Sequence, residues 1–259
     1  MHDAHHQKPA RLFLVLGAFF VTNALLAEFV GTKIFSLERT LGFEPVRLVI
    51  GGEVLSLNFT AGVLLWPFVF VMTDIVNEYY GRRGVRLLSL LGAGMILYAF
   101  AAVFAAMGLA PADFWATRAT PAGPFDMELA FDSVFGQGLW IIAASLVAFL
   151  VSQVLDVRVF QLLKRRTGER MIWLRATGST VVSQLVDSFI VLFIAFYLGA
   201  DWSIRLVLSV CALNYAYKFC AAILMTPVIY AAHGAIERYL GPELAGRMRT
   251  VALREGASV

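Results

Sequence analysis

The stretch "VRLLSLLGAGMILYAFAAVFAAMG", residues 85–108, contains one charged side chain, Arg86, and the 22 residues after it carry no charge. A helix rises about 1.5 Å per residue, so roughly 20 apolar residues cross a hydrocarbon core of about 30 Å. This stretch therefore predicts a transmembrane helix, and it decides the fold class.

The whole chain has the composition of a membrane protein. Of its 259 residues, 59% are hydrophobic and 15% are charged, and the mean hydropathy is +0.75. A soluble domain of this length has too much surface to stay dispersed with so few charges. The apolar residues also occur in long blocks, so we predict an all-α membrane protein with a six-transmembrane-helix bundle. The predicted spans are 12–30, 61–76, 85–108, 139–155, 177–198 and 204–230.

The basic residues are distributed unevenly between the two ends of these spans. Fifteen of the 21 lysines and arginines fall on the side of the termini, five fall on the opposite side, and Lys218 lies within a span. The positive-inside rule then places both termini in the cytoplasm. We predict a cytoplasmic tail over 1–10, the membrane domain over 11–232, and an amphipathic, basic cytoplasmic tail over 233–259.

Two segments outside the spans have their own character. Residues 46–59 form two short apolar runs around Gly51-Gly52, which predicts a small extramembrane β-hairpin. Residues 111–136 are rich in Pro, Asp and aromatic residues, and we expect a loop near the headgroups.

Polar side chains inside apolar blocks are costly, at least about 2.5–3.5 kcal/mol for a charge, and usually face a cavity or a partner. At the end of the second span, Asp74, Asn77 and Glu78 share one helical face. They could form a set of acceptors inside the bundle. Alternatively, they mark a wet helix end where carboxylates pair with Arg82 and Arg83.

The fourth span ends with Gln153 and Asp156 on one face, followed by a basic stretch. We expect Asp156 at the membrane boundary, paired with Arg158 or Lys164, and we include Gln153 among the candidate site residues. Near the end of the first span, Glu28 is expected to be a wet helix end.

The fifth and sixth spans carry the strongest signals. Thr180, Gln184 and Asp187 form one polar face, and Asp187 lies well inside its span. Asn214 and Lys218 are one turn apart in the sixth span. Because a buried ammonium must find an anion or lose its proton, we expect Lys218 to pair with Asp187 or with the Asp74 and Glu78 cluster.

These groups suggest a cavity for a planar, polar heterocycle. Carboxylates can accept from ring N–H and amino groups, amides can bond a carbonyl edge, and aromatic rings such as Tyr79 can stack. We expect no metal and no cofactor, because the sequence shows neither a phosphate loop nor metal-ligand spacing. The basic pI follows from the topology, so nucleic acid is not an expected partner.

Four motifs resemble those of the queuosine precursor transporter family of VUT-type integral membrane proteins. They are "TDIVNEYYG" (73–81), "SQVLDVRVF" (152–160), "STVVSQLVDSFIVLFIAF" (179–196) and "NYAYKF" (214–219). The resemblance covers about residues 23–230. It implies six transmembrane helices and import of 7-deazaguanine precursors of queuosine, 7-cyano-7-deazaguanine or its aminomethyl relative, for tRNA modification. The family motif positions are Asp74, Gln184, Asp187, Asn214 and Lys218.

The full set of expected substrate-binding residues is Asp74, Asn77, Glu78, Tyr79, Gln153, Gln184, Asp187, Asn214 and Lys218. We expect Asp187 or Glu78 to bind the N–H edge of the deazapurine, and Lys218 or Asn214 its carbonyl.

Three functions compete. The first is a transporter of a deazapurine, expected to work as a homodimer because six short helices enclose little volume. The second is a substrate-capture subunit that works with a separate ATPase. The third is an intramembrane enzyme with Asp74 and Asp187 as a carboxylate pair. We rank the enzyme last, because it lacks a motif and Lys218 does not suit an aspartyl pair.

Overall fold

The computed structural model describes residues 2–121, 123–136, 139–167 and 171–255. Within these ranges it is mostly helical, with three short strand pairs. The helices are α1 (His2–Val30), α2 (Leu37–Thr40), α3 (Trp66–Met107), α4 (Asp113–Ala116), α5 (Met127–Phe135), α6 (Leu139–Thr167), α7 (Ile172–Leu192), α8 (Ile204–Leu224), α9 (Thr226–Leu240) and α10 (Pro242–Glu255). A 3-10 turn, Ala61–Leu64, precedes α3, and a π-helix, Phe193–Leu198, continues α7.

Five helical segments of the described chain are long and apolar enough to cross a membrane. They comprise residues 7–30, 61–107, 127–167, 172–198 and 204–224. The multi-pass membrane fold is therefore confirmed, whereas the count of segments differs from the predicted six. The difference arises because the predicted second and third spans are joined in α3.

Helix α3 is sharply bent at Gly81, whose backbone (φ 66°, ψ −167°) is not helical. Glycine populates positive φ without the steric cost of a Cβ atom, so it permits this bend. Before the bend, the chain runs antiparallel to α1, because Gly62 lies beside Ala27 and the Tyr80 hydroxyl donates to the Pro9 carbonyl at 2.7 Å.

After the bend, the chain runs parallel to α1. The Leu88 side chain lies beside Gly17, and the Phe100 ring lies 5.7 Å from the Phe29 ring. The two halves of α3 thus contact the same helix in opposite directions. This reversal is the geometric reason why one helical segment contains two of the predicted spans.

Helices α6 and α7 extend beyond the predicted spans at the basic end of the bundle. The predicted span 139–155 ends before α6 does, because α6 continues to Thr167. The predicted span 177–198 begins after α7 does, because α7 begins at Ile172. These extensions include Lys164 and Arg175, both of which are buried against α3. The predicted spans therefore leave out the ends of the two helices that carry Lys164 and Arg175.

The sixth predicted span is too long. Helix α8 ends at Leu224, and α9 begins at Thr226 with Pro227 in its first turn, where a proline cannot continue the preceding helix. Helix α9 and the following α10 are amphipathic, and Ile229, Ile236 and Ala245 are buried in the main core. Helices α9 and α10 therefore pack on the bundle.

The predicted hairpin is confirmed. Strand β2 (Leu48–Ile50) pairs with β3 (Glu53–Leu55) in antiparallel register around Gly51-Gly52, both with positive φ as a two-residue hairpin turn requires. A second pair, β1 (Ile34–Ser36) with β4 (Asn58–Thr60), was not predicted. The predicted loop over 111–136 also contains structure, namely α4, α5 and the pair of β5 (Thr117–Thr120) with β6 (Gly123–Asp126).

Candidate functional site

A cavity of about 450 Å³, including the space at its mouth, lies among the first half of α3, α7, α8 and the start of α9. One wall is aromatic, with Trp66 and Phe70, and the polar lining consists of Asp74, Thr177, Thr180, Gln184 and Lys218. Residues from three of the predicted polar spans therefore meet at one cavity.

Two groups in this lining have hydrogen-bonding capacity to spare. Asp74 is 2% exposed and its Oδ1 has no partner within the described part of the chain. The Nε2 of Gln184, which is also buried, is likewise without a partner there. Because buried polar groups are rarely left unsatisfied, an open acceptor and an open donor at one cavity are typical of a ligand site.

Of the two predicted partners of Lys218, Asp187 or the cluster of Asp74 and Glu78, the structure shows Asp187. The Lys218 Nζ and Asp187 Oδ2 atoms are 2.6 Å apart, and both side chains are largely buried. The pairing of these two residues is confirmed. This ion pair joins α7 to α8. Because Lys218 also lines the cavity, its ammonium lies at the cavity wall, and the Asp187 carboxylate balances its charge.

Glu78 does not line the cavity, because it is at the centre of a separate ion-pair network. Its Oε1 accepts from Arg175 at 2.8 Å, and its Oε2 lies 3.1 Å from the Lys164 ammonium. Next to it, Asn77 accepts from Gln161 at 2.6 Å. All five residues are buried. The alternative of a wet helix end is therefore wrong because Asn77 and Glu78 are buried, and the arginine seen to pair with Glu78 is Arg175.

Asp156 is fully buried within the bundle. Its Oδ1 accepts from Ser183 at 3.1 Å, and Ser179, whose hydroxyl donates to the Ala176 carbonyl, lies near both Asp156 and Asp74. The expected pairing with Arg158 or Lys164 is wrong, because Lys164 is bound to Glu78. Asp156 thus lies directly behind the cavity.

The remaining candidates lie outside the cavity. Gln153 donates to the Thr73 hydroxyl at 3.2 Å and lines a second crevice, and Asn214 donates to the Val210 carbonyl of its own helix at 3.1 Å. Tyr79 is buried, and its hydroxyl lies 3.0 Å from His233 Nδ1.

His233 ties α9 to the first half of α3 through Tyr79 and is itself outside the spans. Burial lowers the pKa of His233 to about 4. The imidazole ring of His233 is therefore neutral at physiological pH. In this state its Nδ1 can form a hydrogen bond with the Tyr79 hydroxyl.

The prediction that Glu28 is a wet helix end is also wrong, because its side chain is buried. The Ser145 hydroxyl donates to its Oε1 and links α1 to α6.

Arg175, Gln161 and Ser179 lie in the region of the site but are not among the predicted residues. The predicted fifth span begins at residue 177 and therefore leaves Arg175 outside. The apolar residues Met171–Leu174 before it were the available signal, because they extend the helix so that Arg175 is at its buried first turn.

A multi-pass helical bundle with a polar, partly unsatisfied cavity is the architecture of a membrane protein that takes up a small molecule. Comparison with known proteins agrees. A family described as "Putative vitamin uptake transporter" matches residues 60–232. The chain is 32% identical over 200 residues to the "Probable queuosine precursor transporter" of Bacillus subtilis, covering 74% of this chain and 81% of that protein.

Two further relatives have similar names. The "Queuosine precursor transporter" of Escherichia coli is 26% identical over 206 residues, covering 78% of this chain and 83% of the relative. The "Probable queuosine precursor transporter" of Haemophilus influenzae is 27% identical over 149 residues, covering 56% and 55%. No solved structure gives a significant match.

The chain therefore belongs to this family of membrane transporters, and the resemblance drawn from its motifs is confirmed. The family and the names of its relatives indicate a transporter and not an enzyme, as the sequence analysis expected. The ion pair of Asp187 with Lys218 agrees with this conclusion, because an Asp187 that is bound to Lys218 does not form a catalytic carboxylate pair with Asp74.

Proposed function

We propose that this protein imports 7-deazaguanine precursors of queuosine, 7-cyano-7-deazaguanine or its aminomethyl relative, across a bacterial inner membrane for tRNA modification. The observation that carries the proposal is the coincidence of an open acceptor, Asp74 Oδ1, and an open donor, Gln184 Nε2, at the cavity that Lys218 also lines. The names of the relatives supply the substrate class.

The chemistry of the cavity matches the edges of a guanine-like ring. Such a ring offers adjacent ring N–H and amino donors, which Asp74 can accept, and a carbonyl, to which Gln184 and Lys218 can donate. The planar face can lie against Trp66 and Phe70. Wrong bases leave buried groups unpaired, so discrimination should be steep.

The other candidates contribute indirectly in this proposal. Asp187 holds Lys218 in place, while the network of Asn77 and Glu78 and the contact of Tyr79 with His233 fix the helix that carries Asp74. This differs from the sequence-based expectation, in which Asp187 or Glu78 bound the N–H edge directly. The reason is that cations already engage both of these carboxylates.

We also propose six membrane crossings, with α3 crossing twice around Gly81 and both termini in the cytoplasm. At 1.5 Å per residue, the 47-residue segment 61–107 would extend about 70 Å if straight, more than twice the hydrocarbon thickness. The uneven distribution of basic residues supports the orientation. We also propose that residues 1–10 and 233–259 are on the cytoplasmic side and that the transporter is a homodimer.

The test is uptake of labelled 7-cyano-7-deazaguanine by cells that cannot synthesise it. We expect the full chain to restore accumulation, and Asp74→Asn to abolish it at equal protein abundance. The matched control is Asp113→Asn, an exposed acid in α4. Accumulation by the Asp74→Asn protein at the rate of the unmodified chain would contradict the proposal.

A substrate-capture subunit remains the alternative within the same transport class. Purification of the full chain from its own membranes separates the two. Transport by the protein alone in proteoliposomes supports the first, whereas transport that needs a co-purified ATPase supports the second.

A further inference from the structure

A second crevice, of about 540 Å³ including its open side, lies between the second half of α3 and α6. It is separate from the substrate cavity, with which it shares no lining residue. Its lining residues are Arg82, Val85, Arg86, Ser89, Leu90, Leu150, Gln153, Val154 and Val157.

The crevice is polar at one end and apolar at the other. Arg82 and Arg86 lie at the basic end of the bundle, and Leu90 lies eight residues further along α3, which is about 12 Å deeper. Leu90 and Val154 are more than half exposed, so in a membrane they face the acyl chains. The crevice therefore has the polarity profile of a single lipid molecule that lies along the bundle.

Two buried polar atoms in the crevice lack partners. Ser89 is 6% exposed and Gln153 is 2% exposed, yet Ser89 Oγ and Gln153 Oε1 form no hydrogen bond within the ranges that the structure describes. The side-chain amide N–H of Gln153 already donates a hydrogen bond to the Thr73 hydroxyl. What remains is a hydroxyl that can donate or accept and a carbonyl oxygen that needs a donor.

We propose that this crevice binds an anionic phospholipid with a phosphoglycerol headgroup. The phosphate fits Arg82 and Arg86, whose guanidinium groups bind phosphate oxygens. A headgroup hydroxyl supplies the donor that Gln153 Oε1 lacks, and Ser89 can donate to an ester or phosphate oxygen. Basic pockets between transmembrane helices on the cytoplasmic side are a known way of binding such headgroups.

The site is placed to affect transport. Gln153 bonds Thr73, which directly precedes Asp74 of the substrate cavity. A lipid that fixes Gln153 would therefore also fix the helical turn that carries Asp74. Binding of the lipid itself, however, does not depend on the identity of the transported substrate.

The experiment uses the full chain in phosphatidylcholine nanodiscs with a fluorescent bimane label on Val154→Cys, in a Cys220→Ser background that removes the exposed native cysteine. Brominated phosphatidylglycerol, or brominated phosphatidylcholine as the neutral arm, is added as a contact quencher. We expect quenching at several-fold lower phosphatidylglycerol than phosphatidylcholine. Equal quenching by the two lipids would overturn the proposal.

The variants test which residues carry the preference. Arg82→Gln/Arg86→Gln should weaken the phosphatidylglycerol response by roughly fivefold for each arginine. Ser89→Ala should weaken it without loss of fold. Arg165→Gln/Arg166→Gln removes the same charge from exposed positions of α6 and should leave the response unchanged. An equal loss in this control would mean general surface attraction and would overturn the site.

A competition arm separates a lipid from a soluble phosphate. Inorganic phosphate and sn-glycerol 3-phosphate should not restore fluorescence, because they lack the acyl chains that the deeper walls contact. Restoration by either one would identify a soluble phosphate site and overturn the lipid assignment.

Discussion

Lys218 Nζ lies 2.6 Å from Asp187 Oδ2, and this pair joins α8 to α7 at the wall of the cavity that Asp74 and Gln184 also line. Each side chain retains a small exposed fraction, 18% and 14%. The ammonium is therefore available to the cavity while its charge is balanced within the protein.

The first prediction concerns this pair. Asp187→Asn leaves the Lys218 ammonium without its anion, and we expect the free energy of unfolding in detergent micelles to fall by about 2–3 kcal/mol, less than for a fully buried pair because of the residual exposure. Asp187→Asn/Lys218→Met should recover most of this stability but not uptake. The control is Glu243→Gln, which breaks the exposed pair with Arg247 and should cost almost nothing.

The second prediction separates binding from folding at Asp74. Its open Oδ1 makes the buried carboxylate unfavourable without ligand, so Asp74→Asn should leave the melting temperature of the empty protein unchanged or raised. Uptake should nevertheless be lost. A matching fall in melting temperature and uptake would mean that Asp74 is a structural residue.

The third prediction concerns the network around Glu78. Glu78→Gln leaves two buried cations, Lys164 and Arg175, without their carboxylate, and should destabilise the protein by about 3–5 kcal/mol. Lys164→Gln should cost clearly less, because the bond from Arg175 to Glu78 remains. Chemical unfolding of the two variants gives the comparison, and equal losses would contradict the network.

The fourth prediction is a dependence of stability on pH through His233. Its pKa falls from 6.5 to about 4 on folding because burial disfavours the charged ring, although Glu78 and Glu237 oppose this effect and Arg175 and Arg249 add to it. The unfolded chain therefore binds a proton first as the pH falls.

The contribution of His233 is thus fully present above pH 6.5 and is lost progressively down to about pH 4, in total about 3 kcal/mol. His233→Gln should flatten the stability profile in this window, as measured by chemical unfolding at a series of pH values. An unchanged slope would show that other groups cause it. Tyr79→Phe removes the hydroxyl partner without removing the titrating ring, and it should lower stability but keep the slope.

The sequence predicted the membrane class, the hairpin at Gly51-Gly52 and, as one of two alternatives, the pair of Asp187 with Lys218. These features depend on apolar blocks, local turn chemistry and the need of a buried charge for a partner, all of which are visible in one dimension. Helix ends in the basic region were predicted less well. Lys164 and Arg175 are charged but buried, and both form ion pairs with Glu78, which is far from them in the sequence.

The site was predicted in part for the same reason. The residues Asp74, Gln184 and Lys218 do meet at one cavity, whereas Asn214 and Gln153 lie elsewhere, because the rotation of each helix about its axis depends on packing. Which carboxylate remains free is also a tertiary property. Glu78 and Asp74 are one turn apart, yet Glu78 forms ion pairs with Lys164 and Arg175, whereas Asp74 Oδ1 has no hydrogen-bond partner among the described residues.

The central claim is that Asp74 recognises the donor edge of a deazaguanine in the cavity that Gln184 and Lys218 also line. The most direct test is calorimetric titration of the purified protein with 7-cyano-7-deazaguanine and with the analogue that lacks the exocyclic amino group. We predict that the unmodified protein prefers the complete ligand by about 10²-fold or more, and that Asp74→Asn loses most of this preference. If Asp74→Asn kept the full preference, the claim would be wrong.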